Sequence, residues 1–155
     1  MAASSLRFGE ALPGLDYRER PSAYGLLESD GRLALVHVSL PDRAPFFDLP
    51  GGGIEEGESE ARALVREFGE ETGLVVTSGD LITRGDQYMI SANDEPFLSQ
   101  GGFFEATLVS ERPELKTEDE HALVWLDANE ALLRLRHDSH AWAVSAWLRA
   151  RIPLR

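Results

Sequence analysis

A run of three glycines, Gly51-Gly52-Gly53, followed at once by a strongly acidic helical segment, constrains this chain more than any other feature. Between Glu55 and Glu71 there are seven glutamates in 17 residues, and Ala61, Leu64, Val65 and Phe68 recur there at helical spacing. Ser59 is a natural N-cap, and Gly73 sits where a helix ends in a left-handed residue. At 100° per residue, Glu67, Glu70 and Glu71 fall within roughly 60° of one direction, with Glu60 beside them, and the apolar group centres roughly 115° away. Three like charges at i, i+3 and i+4 destabilise a helix by about 0.2–0.5 kcal/mol per pair. They also lie in its second half, where the dipole favours Lys or Arg. A solvated acidic face is the plainer alternative. A divalent cation offsets the repulsion instead: Mg²⁺ takes oxygen ligands, uses few carboxylates and leaves positions for water and substrate phosphate. The glycines let backbone approach such a ligand closely.

Charge narrows the partners. Fifteen Lys+Arg against 27 Asp+Glu leaves −12, which disfavours a grip on a nucleic-acid polymer. Lys116 is the single lysine, so there is no lysine-rich tail for anionic lipid. Without cysteine, disulfides, thiolate metal sites and cysteine nucleophiles are excluded. No apolar run approaches the ~18 residues of a membrane span, and Met1 to Arg7 has no signal-peptide pattern. The expected location is cytoplasmic, with no membrane partner.

At 155 residues the chain fits one domain. Residues 1–20 are expected to be a loose lead-in and 21–155 a single domain. Ser22–Glu28 and Arg32–Ser39 read as a hairpin around Ser29-Asp30-Gly31. Leu74–Thr77, Gly85–Ile90, Gly102–Val109 and His121–Leu126 read as further strands. Asp127 opens a short helix through Leu135, and a last helix from Asp138 to Arg149 carries Trp142, Ser145 and Leu148 on one side. Strands interspersed with helices make an α+β fold, a mixed sheet covered by helices.

The stretch Gly52-x5-Glu58-x7-Arg66-Glu67-Phe68-x-Glu70-Glu71-x-Gly73-Leu74 resembles the Nudix box, with Phe68 where an aliphatic residue is usual. The resemblance implies an α/β/α sandwich with a central mixed β-sheet and the box helix packed on it. It implies a hydrolase that cleaves a nucleoside diphosphate linked to another moiety, using Mg²⁺ with Mn²⁺ as a substitute. By the same resemblance, Glu67, Glu70 and Glu71 hold the metal with the Gly51 carbonyl, and Glu118, in the Glu118-Asp119-Glu120 loop, is a further ligand or the base. Glu67, Glu70 and Arg66 form the catalytic set. Glu58, paired with Arg66, and Gly52 support the ligands from outside. Bound metal neutralises phosphate and lowers the pKa of water for in-line attack.

Substrate choice lies outside the box. Arg43 and Arg20 are candidate phosphate clamps, because guanidinium matches phosphate bidentately. Phe47 and Tyr88 are candidate contacts for the base. The four histidines, His37, His121, His137 and His140, have no shared metal spacing and read as strand or surface residues. The downstream marks of ADP-ribose, dinucleoside-polyphosphate and NADH hydrolases are missing. The chain therefore most resembles small MutT-type members, which hydrolyse nucleoside triphosphates such as oxidised dGTP to monophosphate and pyrophosphate. ADP-ribose, nucleotide-sugar or dinucleoside-polyphosphate hydrolysis and a non-catalytic nucleotide sensor are the alternatives. A homodimer is carried over from the family as a further expectation.

Overall fold

The computed structural model describes residues 6–152. The chain runs β1 (Arg7–Phe8), β2 (Arg18–Ser29), β3 (Arg32–Val38), β4 (Phe46–Asp48), β5 (Gly51–Gly53), α1 (Glu60–Thr72), β6 (Leu74–Ile90), β7 (Pro96–Glu111), β8 (His121–Asp127), α2 (Ala128–Arg134) and α3 (Asp138–Arg151). The strands follow the order β1-β6-β7-β2-β3-β4, with β5 against β2 and β8 against β3. The β2/β7 and β1/β6 pairs are parallel and the others antiparallel, so the sheet is mixed as expected.

β2 and β3 are joined by Asp30 and Gly31, whose φ angles of 51° and 77° are those of the tight turn this dipeptide favours. They pair only next to that turn, at Glu28–Leu33 and Ser29–Arg32. Beyond it they part: β2 joins β5 and β7, while β3 joins β4 and β8. The sheet therefore opens into two leaves, and the gap lies at the end away from the hairpin.

Alternation along β2 supplies both faces of the sandwich. Ala23 and Leu27 pack with Leu64 and Phe68 of α1, whereas Tyr24 and Leu26 pack with Ala143, Val144 and Trp147 of α3. Gly25 is needed for α1 to approach, because a Cβ there would lie 2.5 Å from Phe68 Cε2.

The helix α1 has the expected caps. The Ser59 hydroxyl accepts from the Arg62 N–H, and Gly73 (φ 74°) closes the last turn onto Gly69. Its buried stripe differs from expectation. Ala61 and Val65 face solvent, and Ala63, Leu64, Phe68 and Glu71 face inward, a rotation of roughly 60° about the axis. Glu71 tolerates burial because it has partners inside, described below.

Four other boundaries shift. β2 begins at Arg18 and not Ser22, because Arg18–Pro21 pair with β7, and Arg7–Phe8 add to β6; both segments belong to the expected lead-in, of which residues 1–5 lie outside those described, as do 153–155 at the other end. The two strands expected within 74–90 are one, because bulges around Leu81 absorb the break at Ser78-Gly79-Asp80. β7 starts at Pro96, lengthened by pairing on both sides. On α3 the packed face is Ser139, His140, Ala143, Val144 and Trp147, whereas Trp142 is 38% exposed and donates to the Thr83 hydroxyl.

His140 is a core residue rather than a surface one. It is 1% exposed, and its Nδ1 accepts from the Leu49 N–H at 3.1 Å. Burial pushes its pKa down to about 3, and burial with the nearby His140 does the same to His137. The unfolded chain binds these protons near pH 6.5 and the folded chain only near 3. Stability is therefore fully present above pH 6.5 and lost as pH falls toward 3, by about 1.4 kcal/mol per pH unit for each histidine. Glu71, whose carboxyl burial raises to about 7, slopes the other way over the same range, so the histidine share is read by difference: in urea unfolding between pH 6.5 and 5, His140→Gln is expected to lose stability less steeply than wild type, by about 1.4 kcal/mol per pH unit.

Candidate active site

The two leaves enclose a cavity of about 350 Å³, bounded by β2, the β3–β4 region, the glycine strand β5 and the loop before β8. Each glycine of β5 makes room for a particular group. Gly51 has φ 142°, a region L residues rarely enter, and a Cβ there would lie 2.2 Å from the Ala23 carbonyl oxygen. A Cβ on Gly52 would sit 2.8 Å from Glu67 Oε1, and one on Gly53 2.3 Å from Arg20 Nε.

Arg66 joins this strand to the helix. Its guanidinium donates to both Glu58 oxygens at 2.8 and 3.0 Å, to the Gly53 carbonyl at 3.0 Å, and from Nη1 to Glu67 and Glu70 at 3.0 and 3.2 Å. The hydrogen bonds from Arg66 hold the Glu58 carboxyl down at about 2, and its carboxylate partners hold Arg66 firmly charged. A fork filled on every side fixes the orientation of the helix carboxylates.

Glu71, 5% exposed, accepts from the Gly51 N–H at 2.8 Å and meets His121 Nε2 at 3.1 Å. Burial pushes its carboxyl up to about 7, opposed by these two partners. Burial lowers the His121 pKa, but the bond to Glu71 and the charges of Glu71, Glu118 and Glu120 outweigh it, so the net direction is up.

The loop before β8 docks on the end of α1, where the Thr117 and Glu118 N–H groups both donate to the Glu70 carbonyl, at 2.9 and 3.0 Å. Glu118, Glu120 and His121 there present ligand atoms within 4.8 Å of one another. Burial and repulsion from Glu120 raise the Glu118 carboxyl, and burial, with Glu70 and Glu118, raises Glu67 against the pull of Arg66. Burial and mutual repulsion outweigh the countercharge these carboxylates have, and an oxygen set of this kind suits Mg²⁺ or Mn²⁺.

Gly51, Gly52, Glu67, Glu71, Glu118, Arg20 and Arg43 thus come together on one cavity. Glu70, Glu58 and Arg66 stand behind the cavity wall as the network that orients Glu67. Phe47 and Tyr88 do not reach it. On β4, Phe46 and Asp48 face the cavity, so Phe47 points the other way, into the core beside His37 and Arg134. Tyr88 packs edge-on against Tyr17, 5.0 Å away, while its neighbours Met89 and Ile90 line the cavity. Sequence reasoning missed His121, Asp48, Arg136 and His137 as lining residues. Glu120, which lines the cavity as well, had a signal in its acidic loop.

The NUDIX domain family model matches residues 16–148. The chain is 29% identical over 108 residues to the CTP pyrophosphohydrolase of Escherichia coli, covering 69% of this chain and 75% of that protein. It is 36% identical over 107 residues to an octanoyltransferase of Myxococcus xanthus, covering 68% of this chain but only 29% of that protein's length. A solved NUDIX hydrolase from Nitrosomonas europaea superposes with a TM-score of 0.72 at 22% identity, over 88% of this chain and 94% of that one, which bears on the fold alone.

Proposed function

Since this chain belongs to the NUDIX family and is a hydrolase acting on pyrophosphate bonds, we propose that its substrate is a nucleoside triphosphate, cleaved to the monophosphate and pyrophosphate. One observation carries the reading: Glu67, Glu71, Glu118 and Glu120 line one cavity together with Arg20 and Arg43, so carboxylates for a cation and guanidiniums for phosphate share a space large enough for a nucleotide. Similarity to a CTP pyrophosphohydrolase supports the triphosphate class.

A divalent metal would be held by Glu67, Glu71 and Glu118 with the Gly51 carbonyl, which line the cavity together, and would supply charge neutralisation of the phosphates and a water acidic enough to ionise near neutral pH. The chain's own groups do the rest. Glu67 accepts the proton of the attacking water. Arg66 holds Glu67 in place through Glu58 and the Gly53 carbonyl, and Glu70 shares its Nη1. His121 and the Gly51 N–H fix Glu71 against rotation. Arg20 and Arg43 draw in a polyanion that a chain of net charge −12 otherwise repels.

The test is pyrophosphate and phosphate release with Mg²⁺ across nucleoside triphosphates including CTP and oxidised dGTP, ADP-ribose, dinucleoside polyphosphates and nucleotide sugars. The reading requires a triphosphate to yield monophosphate and pyrophosphate fastest. Preference for another class moves the substrate, and silence with tight binding points to a sensor. Removal of metal with a chelator is expected to abolish turnover and lower the melting temperature by only a few degrees, because Leu64 and Phe68, fully buried, anchor α1. Calorimetric melting with and without chelator checks this; a collapse of the fold would make the metal structural.

A further inference from the structure

The connector between α2 and α3 is zipped onto β4. The Arg136 N–H donates to the Phe47 carbonyl at 3.0 Å, and Leu135 bridges Phe47 in parallel. Because Phe46 and Asp48 share one face of β4, Arg136 lies across both. Its guanidinium carbon is 3.5 Å from the centre of the Phe46 ring, the separation of two flat groups in face contact. At its edge, Nη2 and Nε donate to the two Asp48 oxygens at 2.7 and 3.3 Å. Held along one face and at the edge, the guanidinium lines the cavity with its side chain still 33% exposed, and over its opposite face no second ring lies among the described residues.

Arg136 differs in charge from the other arginines of the cavity. Asp48 neutralises it. Among the described residues Arg20 and Arg43 have no carboxylate partner: Arg20 lies over Phe97 at 5.5 Å, and Arg43 donates to the Ala92 carbonyl at 3.4 Å. Anionic phosphate therefore goes to Arg20 and Arg43. A planar, weakly hydrated, neutralised guanidinium is instead suited to another flat group. Beside it, His137 lines the cavity, has no partner on Nε2, and is uncharged at neutral pH because burial depresses its pKa to about 3. Val38 and Met89 supply apolar wall. A nucleobase has the matching chemistry, with flat faces for the guanidinium and apolar surface for the wall of Val38 and Met89.

We propose that the face of Arg136 opposite Phe46 is the platform on which the nucleobase stacks, so that the cavity distinguishes a nucleotide from a bare polyphosphate. The proposal rests on the nucleotide pyrophosphohydrolase reading above and names the part of the site that selects the base.

The test measures equilibrium binding, in the presence of Mg²⁺, of non-hydrolysable α,β-methylene analogues of CTP and dGTP, and of inorganic tripolyphosphate, which has no base. Arg136→Lys keeps the charge and loses the plane; it is expected to weaken the nucleotide analogues roughly tenfold and tripolyphosphate by less than twofold. Arg136→Trp keeps a plane and loses the charge; it is expected to bind the analogues within about threefold of wild type. Tripolyphosphate binding confirms that each variant is folded. Should Arg136→Lys bind like wild type, or should Lys and Trp weaken both probes equally, Arg136 is not a platform. The two readings fail separately. A protein that binds the analogues through Arg136 but hydrolyses no nucleotide loses the hydrolase reading and keeps the platform. One that hydrolyses nucleotides while Arg136→Lys leaves KM and Kd unchanged keeps the first and loses the second.

Discussion

Glu67→Gln is expected to lower turnover by roughly 10²–10⁴-fold, the range for losing a positioned proton acceptor. The substitution is nearly isosteric, which matters because the side chain is confined: a Cβ on Gly52 would already touch its Oε1. Glutamine fills that space without the charge and without proton affinity. Arg66 keeps the bidentate Glu58 pair, the Gly53 carbonyl and Glu70, so the loop and helix stay joined. Pyrophosphate release at saturating Mg²⁺ and nucleotide, beside a thermal melt, separates chemistry from folding. Glu70→Gln acts on the far side of the same Arg66 nitrogen and is expected to cost about 10²-fold by loosening the orientation of Glu67. An unchanged rate in Glu67→Gln removes the mechanism.

Gly51→Ala is expected to be the most damaging small substitution in the chain. The new methyl would meet backbone, with Ala23 O at 2.2 Å and Tyr24 Cα at 2.6 Å, and no rotamer relieves that. The residue is also held at φ 142°, so strain adds to overlap. If β5 moves away to relieve it, the Gly51 N–H leaves Glu71, a buried carboxylate that then has one partner fewer. A cost of about 3–5 kcal/mol follows, a large part of the 5–15 kcal/mol by which a domain is usually stable. Gly57→Ala is the control. It too has positive φ, 76°, but a Cβ there meets nothing within 4 Å, so only the conformational cost of about 1 kcal/mol remains. Urea midpoints for both variants decide it; equal losses would show that φ alone, and not the approach of β5 to β2, sets the cost.

The parts of this molecule that were legible in its sequence are those governed by neighbours in the chain. Ser59 and Gly73 bound α1 because capping is local, Asp30-Gly31 makes the hairpin for the same reason, and Asp127 caps α2 through the Glu130 N–H. The order of strands and helices, and a mixed sheet covered by helices, followed from those signals, whereas the sandwich was implied by the resemblance of the box. What eluded the sequence depends on contacts between distant segments. The inward turn of Glu71 needs Gly51 and His121, which come from two other strands. Phe46 and Phe47 are indistinguishable until the register of β4 against β3 says which faces the cavity. Arg136 and His137 follow an ordinary helix, and only the bridge from Leu135 to Phe47 brings them to the site.

The parallel ladder between β2 and β7 has a consequence for how the chain is made. Arg18 pairs with Phe97 and Leu27 with Ala106, so the first long strand emerges from the ribosome well before its partner is synthesised. The glycine strand β5 and the helix α1 with Glu67, Glu70 and Glu71 lie within the intervening segment, and they acquire their final neighbours only when that loop closes. Contacts so remote in sequence slow assembly toward the range of about milliseconds to seconds. During that interval the early strand, apolar on both sides from Ala23 to Leu27, has its β7 edge open. Crowding of nascent chains, more than heat, is then the hazard this topology has to survive.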